Sequence, residues 1–372
     1  MSSEIRYPDY DRNLLALTAS VLKYYGVCDY GHTTLPEMDA LLEQGADRVI
    51  VILLSGMGTV NLNRHLSESD FLRRNKVCDL SAVFPSSTAA AAVTLRSGAS
   101  PLEHSWLGRD LYFPEVDRNI SVFRNAVQGT GRKAANYNIP MKYIPYRQVS
   151  DRILEADPSV ETHTLSRFAG ERVRTFSQAM QRIRKIASSG GKKYICFSWD
   201  EPDREMHTFG AASGKVHNRI RYLNRELEKL AGDLNDSLVV VTSDHGMIDT
   251  RWIYLEDYPH LAELLERAPS VEPRAAALYI RPGRKLEFEE IFRELFGEEF
   301  LLLNREEVLE RGLLGSGHPG EKTYDAIGDY LAVAIGDASL GWKRRKRAKE
   351  QIGNHSGLTA DEMTVPLIVS AI

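Results

Sequence analysis

Asp244 and His245 stand side by side in Val240-Val241-Thr242-Ser243-Asp244-His245-Gly246-Met247, at the end of a short apolar run. An open α/β sheet keeps its ligands at that end of its strands. A hard carboxylate oxygen beside a borderline imidazole nitrogen suits Zn²⁺ or Mn²⁺ better than Ca²⁺ or a thiolate-seeking ion. Alone, the dipeptide equally describes a loop in which Asp244 caps the next helix. Asp203 and His207 follow a second apolar run, Tyr194 to Phe197, in Ser198-Trp199-Asp200-Glu201-Pro202-Asp203-Arg204-Glu205-Met206-His207. If residues 203 to 207 are helical, their i,i+4 offset puts both on one face, able to share a cation. The plain alternative is a surface pair. His355, in Gly353-Asn354-His355-Ser356-Gly357, is a third candidate, and its flanking glycines allow a close backbone approach as readily as an ordinary turn.

A candidate nucleophile lies upstream, in Phe84-Pro85-Ser86-Ser87-Thr88-Ala89-Ala90-Ala91-Ala92, where a strand-like segment gives way to an Ala-rich helix former. A hydroxyl there can be an N-cap and nothing more. The same position is also an anion site, because unpaired N–H groups and the helix dipole favour phosphate oxygens. A metal on such a hydroxyl would lower its pKa and create an attacking alkoxide.

In order along nearly the whole chain, five pieces resemble the alkaline phosphatase superfamily, and within it the type I phosphodiesterase/nucleotide pyrophosphatase family. They are Val49 to Gly58, the Phe-Pro-Ser-Ser-Thr segment ending at Thr88, Asp203-x-x-x-His207 followed by Gly210, Thr242 to Met247, and Gly353 to Gly357 leading into Glu362-Met363-x-Val-Pro366. The resemblance implies an α/β fold: an alkaline phosphatase-like core with a mainly parallel sheet, helices on both faces, and cap insertions. It implies a metal-dependent phosphoric ester hydrolase of phosphodiesterase/nucleotide pyrophosphatase type, acting through a phospho-threonine at Thr88 on a small phosphate ester or nucleotide-like substrate. Two divalent cations, with Zn²⁺ preferred and Mn²⁺ as the alternative, would be held, one by Asp203, His207 and His355 and the other by Asp244, His245 and Thr88.

Two residues depart from the family pattern. Ser55, in Val51-Ile52-Leu53-Leu54-Ser55-Gly56-Met57-Gly58, stands where the family has a metal-binding aspartate. A neutral hydroxyl is the poorer ligand, so the second ion should bind more weakly. Three readings follow: an enzyme with a loosely held or different metal, a catalytically weakened binder of phosphate ligands, or a substitution that traps a complex. Arg109 stands where the family has an asparagine that donates to a phosphate oxygen. A guanidinium there could bind two phosphate oxygens and favour a monoester dianion, which makes phosphomonoesterase the alternative within the same chemistry. Arg109 paired with a surface carboxylate is the competing account. The nucleophile segment lacks the Cys/Ser-x-Pro-x-Arg pattern of sulfatases.

The elements that must position these residues are legible as alternating apolar runs and helical patterns, which argue for βαβ units. Strands are expected at Arg48 to Leu54, Lys76 to Val83, Lys193 to Ser198, Ser237 to Thr242, Ala275 to Ile280, Tyr330 to Ile335 and Val365 to Ser370. Helices are expected at Asn13 to Tyr25, docking on the sheet edge, and at Lys215 to Leu234, whose Val216, Ile220, Leu223, Leu227, Leu230 and Leu234 recur at helical spacing. The 372 residues suit a single α/β domain over 1–372 with cap insertions at 111–190 and 255–325. Tyr137, Tyr143 and Tyr146 beside Lys142 and Arg147 could form part of a cap, or be ordinary packing. His318 reads as a turn residue.

A net charge of −4 gives no reason to expect nucleic acid as the main partner, and the basic run from Lys343 to Lys349 reads as a solvated loop. Cys28, Cys78 and Cys196 are odd in number and widely spaced. With no apolar signal core at Met1-Ser-Ser-Glu and no membrane-length stretch, they lead to the expectation of a cytoplasmic protein. Ser55→Asp is expected to raise both turnover and metal occupancy; unchanged values of the two would show that Ser55 is not at the metal.

Overall fold

Arg48–Leu54 reads RVIVILL, and a strand with no polar residue after its first is stable only when both faces are covered. A computed structural model of the protein, describing residues 4–167, 170–344 and 349–371, places it inside a seven-stranded sheet. The strand order across that sheet is Lys76–Ser81, Thr364–Ala371, Ser237–Thr242, Arg48–Leu54, Lys193–Trp199, Glu161–Ser166, Glu171–Arg172. Only Thr364–Ala371 runs against its neighbours; the pairings of Arg48–Leu54 with Lys193–Trp199 and with Ser237–Thr242 are parallel. The register sets Leu53 beside Thr242 and Leu54 beside Trp199, so three strands end level with one another.

Side chains alternate between two cores. Val49, Val51 and Leu53 share one with helices Leu14–Tyr24 and Thr88–Ser97, while Ile50, Ile52 and Leu54 share the other with Phe176–Ala187 and Gly214–Gly232. In Gly214–Gly232 the buried residues Val216, Ile220, Leu223, Leu227 and Leu230 form the expected stripe, and the Ser213 hydroxyl caps the helix by accepting from the Val216 N–H. Leu14–Tyr24 is tied to the sheet edge through its N-cap, Asn13, which bridges to Ser81, and its body packs on Thr88–Ser97.

A second seven-stranded sheet is antiparallel throughout and draws on distant parts of the chain, in the order Phe300–Asn304, Tyr330–Ala334, Ala275–Leu278, Ser270–Glu272, Asp110–Phe113, Arg118–Ser121, Ala126–Val127. One face, with Ala275, Ala277, Leu331 and Val333, continues the first core; the other packs on Phe288, Phe292 and Phe296 of helix Lys285–Phe296. Two expected strands, those beginning at Ala275 and Tyr330, therefore belong here and not to the parallel sheet, because an apolar run does not encode the direction of its partner.

Of the interval 111–190, residues up to Val127 supply strands to the second sheet, whereas Glu161–Ser166 joins the main sheet and Phe176–Ala187 covers its face. Strands Ser270–Glu272, Ala275–Leu278 and Phe300–Asn304 of the interval 255–325 lie in the second sheet. Lys142 Nζ lies 4.6 Å from the Tyr137 ring centre and 4.9 Å from that of Tyr143, and Tyr146 packs edge-on against Trp106. His318 is exposed in an irregular segment. In the basic run, Arg344 pairs with Asp257 at 2.6 Å, and 345–348 fall outside the described residues. No helix among the described residues is long and apolar enough to cross a membrane.

Candidate active site

The level strand ends decide what meets. Ser55 follows Leu54, the segment leading to Asp203 follows Trp199, and Asp244 and His245 follow Thr242. The Asp203 N–H donates to the Ser55 carbonyl at 3.0 Å, fixing two of these turns to each other. Gly58 and Gly246 pack backbone on backbone: a Cβ on Gly58 would lie 2.4 Å from the Gly246 Cα. His355 arrives from the other direction through Gly353–Asn354, which pairs antiparallel with Ile248–Asp249. All eight residues singled out from the sequence, Ser55, Thr88, Arg109, Asp203, His207, Asp244, His245 and His355, are drawn to this end of the sheet.

Asp203 and His207 lie on one turn of helix Asp203–Phe209, as their spacing requires. One ligand atom from each of Asp203, His207 and His355 falls within a group no wider than 4.8 Å. His207 Nδ1 lies 2.7 Å from the Gly353 carbonyl, His245 Nδ1 2.8 Å from that of Gly246, and His355 Nδ1 3.0 Å from that of Ser86. A carbonyl only accepts, so each Nδ1 carries the proton and each Nε2 is left with a lone pair. Those three Nε2 atoms lie 3.3, 3.9 and 3.7 Å from Asp203 Oδ1, which is buried and without a hydrogen-bond donor. Burial pushes the Asp203 carboxyl up to about 7, a rise that the Asp244 charge reinforces. It also holds His207 below, and His355 well below, the usual imidazole range. Neutral imidazoles and an oxygen that lacks a donor are the donor set a borderline cation takes.

The second set differs. Asp244 Oδ1 accepts from the Gly56 and His245 N–H groups, each at 2.9 Å, and Oδ2 accepts from the Ser55 hydroxyl at 2.7 Å. This carboxylate is satisfied within the protein. Ser55 Oγ lies 3.0 Å from Thr88 Oγ1, which is in turn 3.4 Å from His245 Nε2. Ser55 thus bridges Asp244 and Thr88 by hydrogen bonds. The capping role weighed for this segment falls to Ser87, whose hydroxyl accepts from the Ala90 N–H, so Thr88 keeps its own hydroxyl for the cleft at the first turn of Thr88–Ser97.

Arg109 reaches the cleft from the second sheet. Its side chain is solvent-exposed, contacts Asp110 at 3.3 Å, and acts electrostatically on Asp203, His207 and His355. Its N–H donates at 2.7 Å to Glu272, a buried carboxyl pushed up to about 7 by desolvation and pulled back by the Arg109 charge. The sequence reading passed over Glu272; a lone acid in the strand Ser270–Glu272, just ahead of the apolar Ala275–Leu278, was the available signal. Next to it, Val271 has φ 68, an unusual conformation for a β-branched residue, and its carbonyl crowds Gly108 so closely that a Cβ there would lie 2.6 Å away.

The family model for type I phosphodiesterase/nucleotide pyrophosphatase matches residues 49–357, a span that contains every residue of this site. The chain belongs to that family. It is accordingly a phosphodiesterase/pyrophosphatase-type hydrolase of the alkaline phosphatase superfamily. Solved structures agree on the fold. Murine ectonucleotide pyrophosphatase/phosphodiesterase 5 superposes with a TM-score of 0.64 at 20% identity, covering 86% of this chain and 87% of that one. Phosphonoacetate hydrolase from Sinorhizobium meliloti, in complex with phosphonoformate, gives 0.64 at 17% identity, with 87% and 89% covered. An inactive variant of the murine protein in complex with AMP gives 0.64 at 19%, with 86% and 87% covered. No curated protein sequence matches the chain.

Asp203 generates a pH prediction. Its carboxyl has an ordinary value of 3.8 and titrates near 7 in the fold, so between those values the native protein binds the extra proton and rising pH destabilises it. In chelator, Asp203→Asn should therefore gain on the wild type between pH 4.5 and 8, by on the order of 2–4 kcal/mol in denaturant unfolding. A difference independent of pH would show that Asp203 ionises normally.

Proposed function

We propose that this family member hydrolyses a small phosphodiester or nucleotide-like phosphate ester, with Thr88 as nucleophile and a divalent cation held by Asp203, His207 and His355. The observation that carries this reading is the convergence of imidazole lone pairs on the donor-less Asp203 oxygen, within one cleft with the Thr88 hydroxyl. Two nitrogens and one carboxylate oxygen suit Zn²⁺ or Mn²⁺. A bound cation would supply Lewis-acid stabilisation of charge on phosphate oxygens and on the displaced or attacking oxygen. Asp244, His245 and Thr88 form a second set, in which the Ser55 hydroxyl leaves an ion more loosely held than a carboxylate would.

The protein's own groups then divide the work. The N-terminus of Thr88–Ser97 and the Arg109 guanidinium attract the phosphate oxygens and turn phosphorus toward Thr88. The Thr88 proton has two acceptors in reach, Ser55 Oγ and His245 Nε2. As the Thr88 Oγ1–phosphorus bond forms, the bond to the leaving oxygen breaks; water attacking from the opposite side then cleaves the phospho-threonine and restores the hydroxyl. The second sheet, which brings Arg109 and Glu272 to the cleft, is in this reading the cap that faces the leaving group. AMP, a nucleotide of the expected class, accompanies the murine variant, and phosphonoformate, a phosphonate with a charged oxygen cluster like that of a phosphate, accompanies the Sinorhizobium hydrolase.

One observation favours a monoester preference: Arg109 stays exposed at the cleft, with one carboxylate contact at 3.3 Å. Hydrolysis of a chromogenic diester and its monoester, with added Zn²⁺ or Mn²⁺, tests both levels. Thr88→Ala should lose about 10³-fold or more in kcat, and Arg109→Asn should lower the monoester-to-diester ratio about tenfold. Turnover that survives in Thr88→Ala would refute the nucleophile. An unchanged ratio would return Arg109 to a surface pair.

A further inference from the structure

Away from the reacting groups, Arg274 and Glu362 form an ion pair with no solvent exposure on either side chain. Arg274 Nε and Nη2 each donate at 2.7 Å to a different Glu362 oxygen, and its other contacts are the Ala338 and Gly336 carbonyls. The arginine sits in the turn between Ser270–Glu272 and Ala275–Leu278 of the second sheet; the glutamate precedes Thr364–Ala371 of the main sheet. Such a pair is weak evidence of stability, because burying both charges offsets their attraction. Its placement is more telling.

Glu362 Oε1 also accepts the Gly357 N–H at 2.8 Å, and its backbone carbonyl accepts the Gly246 N–H at 2.7 Å. The Gly357 carbonyl accepts the Ser86 hydroxyl, and the Ser86 carbonyl accepts His355 Nδ1–H. Glu362 therefore holds the His355 loop through its side chain and the loop carrying Asp244 and His245 through its backbone, and the segment before Thr88 joins them by way of Gly357 and His355. The His355 loop needs such restraint: Ser356 has φ 94, and a Cβ on Gly357 would lie 2.9 Å from both Arg274 Nη2 and Glu362 Oε2. On the other side of the same turn stands Glu272, which holds the Arg109 N–H.

We infer that Arg274 is a positioning residue: through Glu362 it fixes the loop that aims His355 Nε2 at Asp203, and through its turn it ties that end of the site to Arg109. This rests on the reading of Asp203, His207 and His355 as cation ligands. Residues one step removed from a metal, when they orient its ligands, typically contribute 10- to 100-fold in affinity. A residue that only supports the fold changes melting temperature and leaves the affinity of the folded protein alone.

Calorimetric titration of the full chain with Mn²⁺ alone, after chelation and below the melting transition, separates these roles. Arg274→Met should weaken Mn²⁺ binding about tenfold or more, and Arg274→Lys, which keeps the charge but not the two-pronged contact, should fall between. Leu227→Ala, a core truncation outside this network, should lower the melting temperature and leave Mn²⁺ affinity unchanged. If Arg274→Met does not fold, Glu362→Gln, which retains the size and an acceptor, carries the same expectation. Wild-type affinity in the folded Arg274 and Glu362 variants would overturn the positioning role. A wild type that binds no Mn²⁺ would overturn the cation reading beneath it.

Discussion

Oδ1 of Asp203 sits inside the fold facing three imidazole nitrogens that carry lone pairs and no protons. Left to themselves these four atoms repel, and a buried carboxylate without donors costs several kcal/mol. The chain nevertheless holds them together from helix Asp203–Phe209, the turn after Ser237–Thr242 and the loop before Thr364–Ala371. Much of the remaining structure serves to hold that opposition in place: parallel strands that end level, glycines that let two turns touch, and backbone carbonyls that lock each ring. A cation or a proton relieves it. That is why the site reads as a place for a ligand and not as a satisfied polar core.

Beside it, Asp244 shows the opposite condition. Its oxygens are met by the Gly56 and His245 N–H groups and by the Ser55 hydroxyl. The departure at Ser55 thus has a structural expression: a hydroxyl can donate to Asp244 and also sit against Thr88, which a carboxylate could do only by accepting. The two carboxylates of the cleft differ in what they lack: Asp203 wants an electrophile, whereas Asp244 already has its donors from the protein.

Much of this was legible in residues. RVIVILL and SLVVVT could only be central strands, and their ends matched the sequence reading because continuous apolar runs are bounded sharply by polar turns. The i,i+4 pair Asp203 and His207 and the Asp244-His245 dipeptide pointed to a shared site because chemistry, spacing and strand end coincided. The second sheet was not legible: its strands are short and pair across long separations, so nothing local states that Asp110–Phe113 will meet Ser270–Glu272. For the same reason Glu272 passed unnoticed, and the interval 111–190 gave no sign that Glu161–Ser166 would return to the main sheet. Ser87 and Thr88 illustrate a finer limit. Both are hydroxyl residues at one helix start, and only the backbone path decides which caps and which faces the cleft.

The carbonyls that orient the three histidines belong to Gly353, Gly246 and Ser86. Every amino acid has a carbonyl, so this control over the rings is written in the route of the main chain and not in the identity of the residues that supply it. Sequence drift can therefore erase most of the wording around the site while its grammar persists. The substitutions this region resists are those that bend the route, at Gly58, Gly246 and Gly357, where no side chain fits. Heritable precision of this kind is compatible with a shared fold at one-fifth identity.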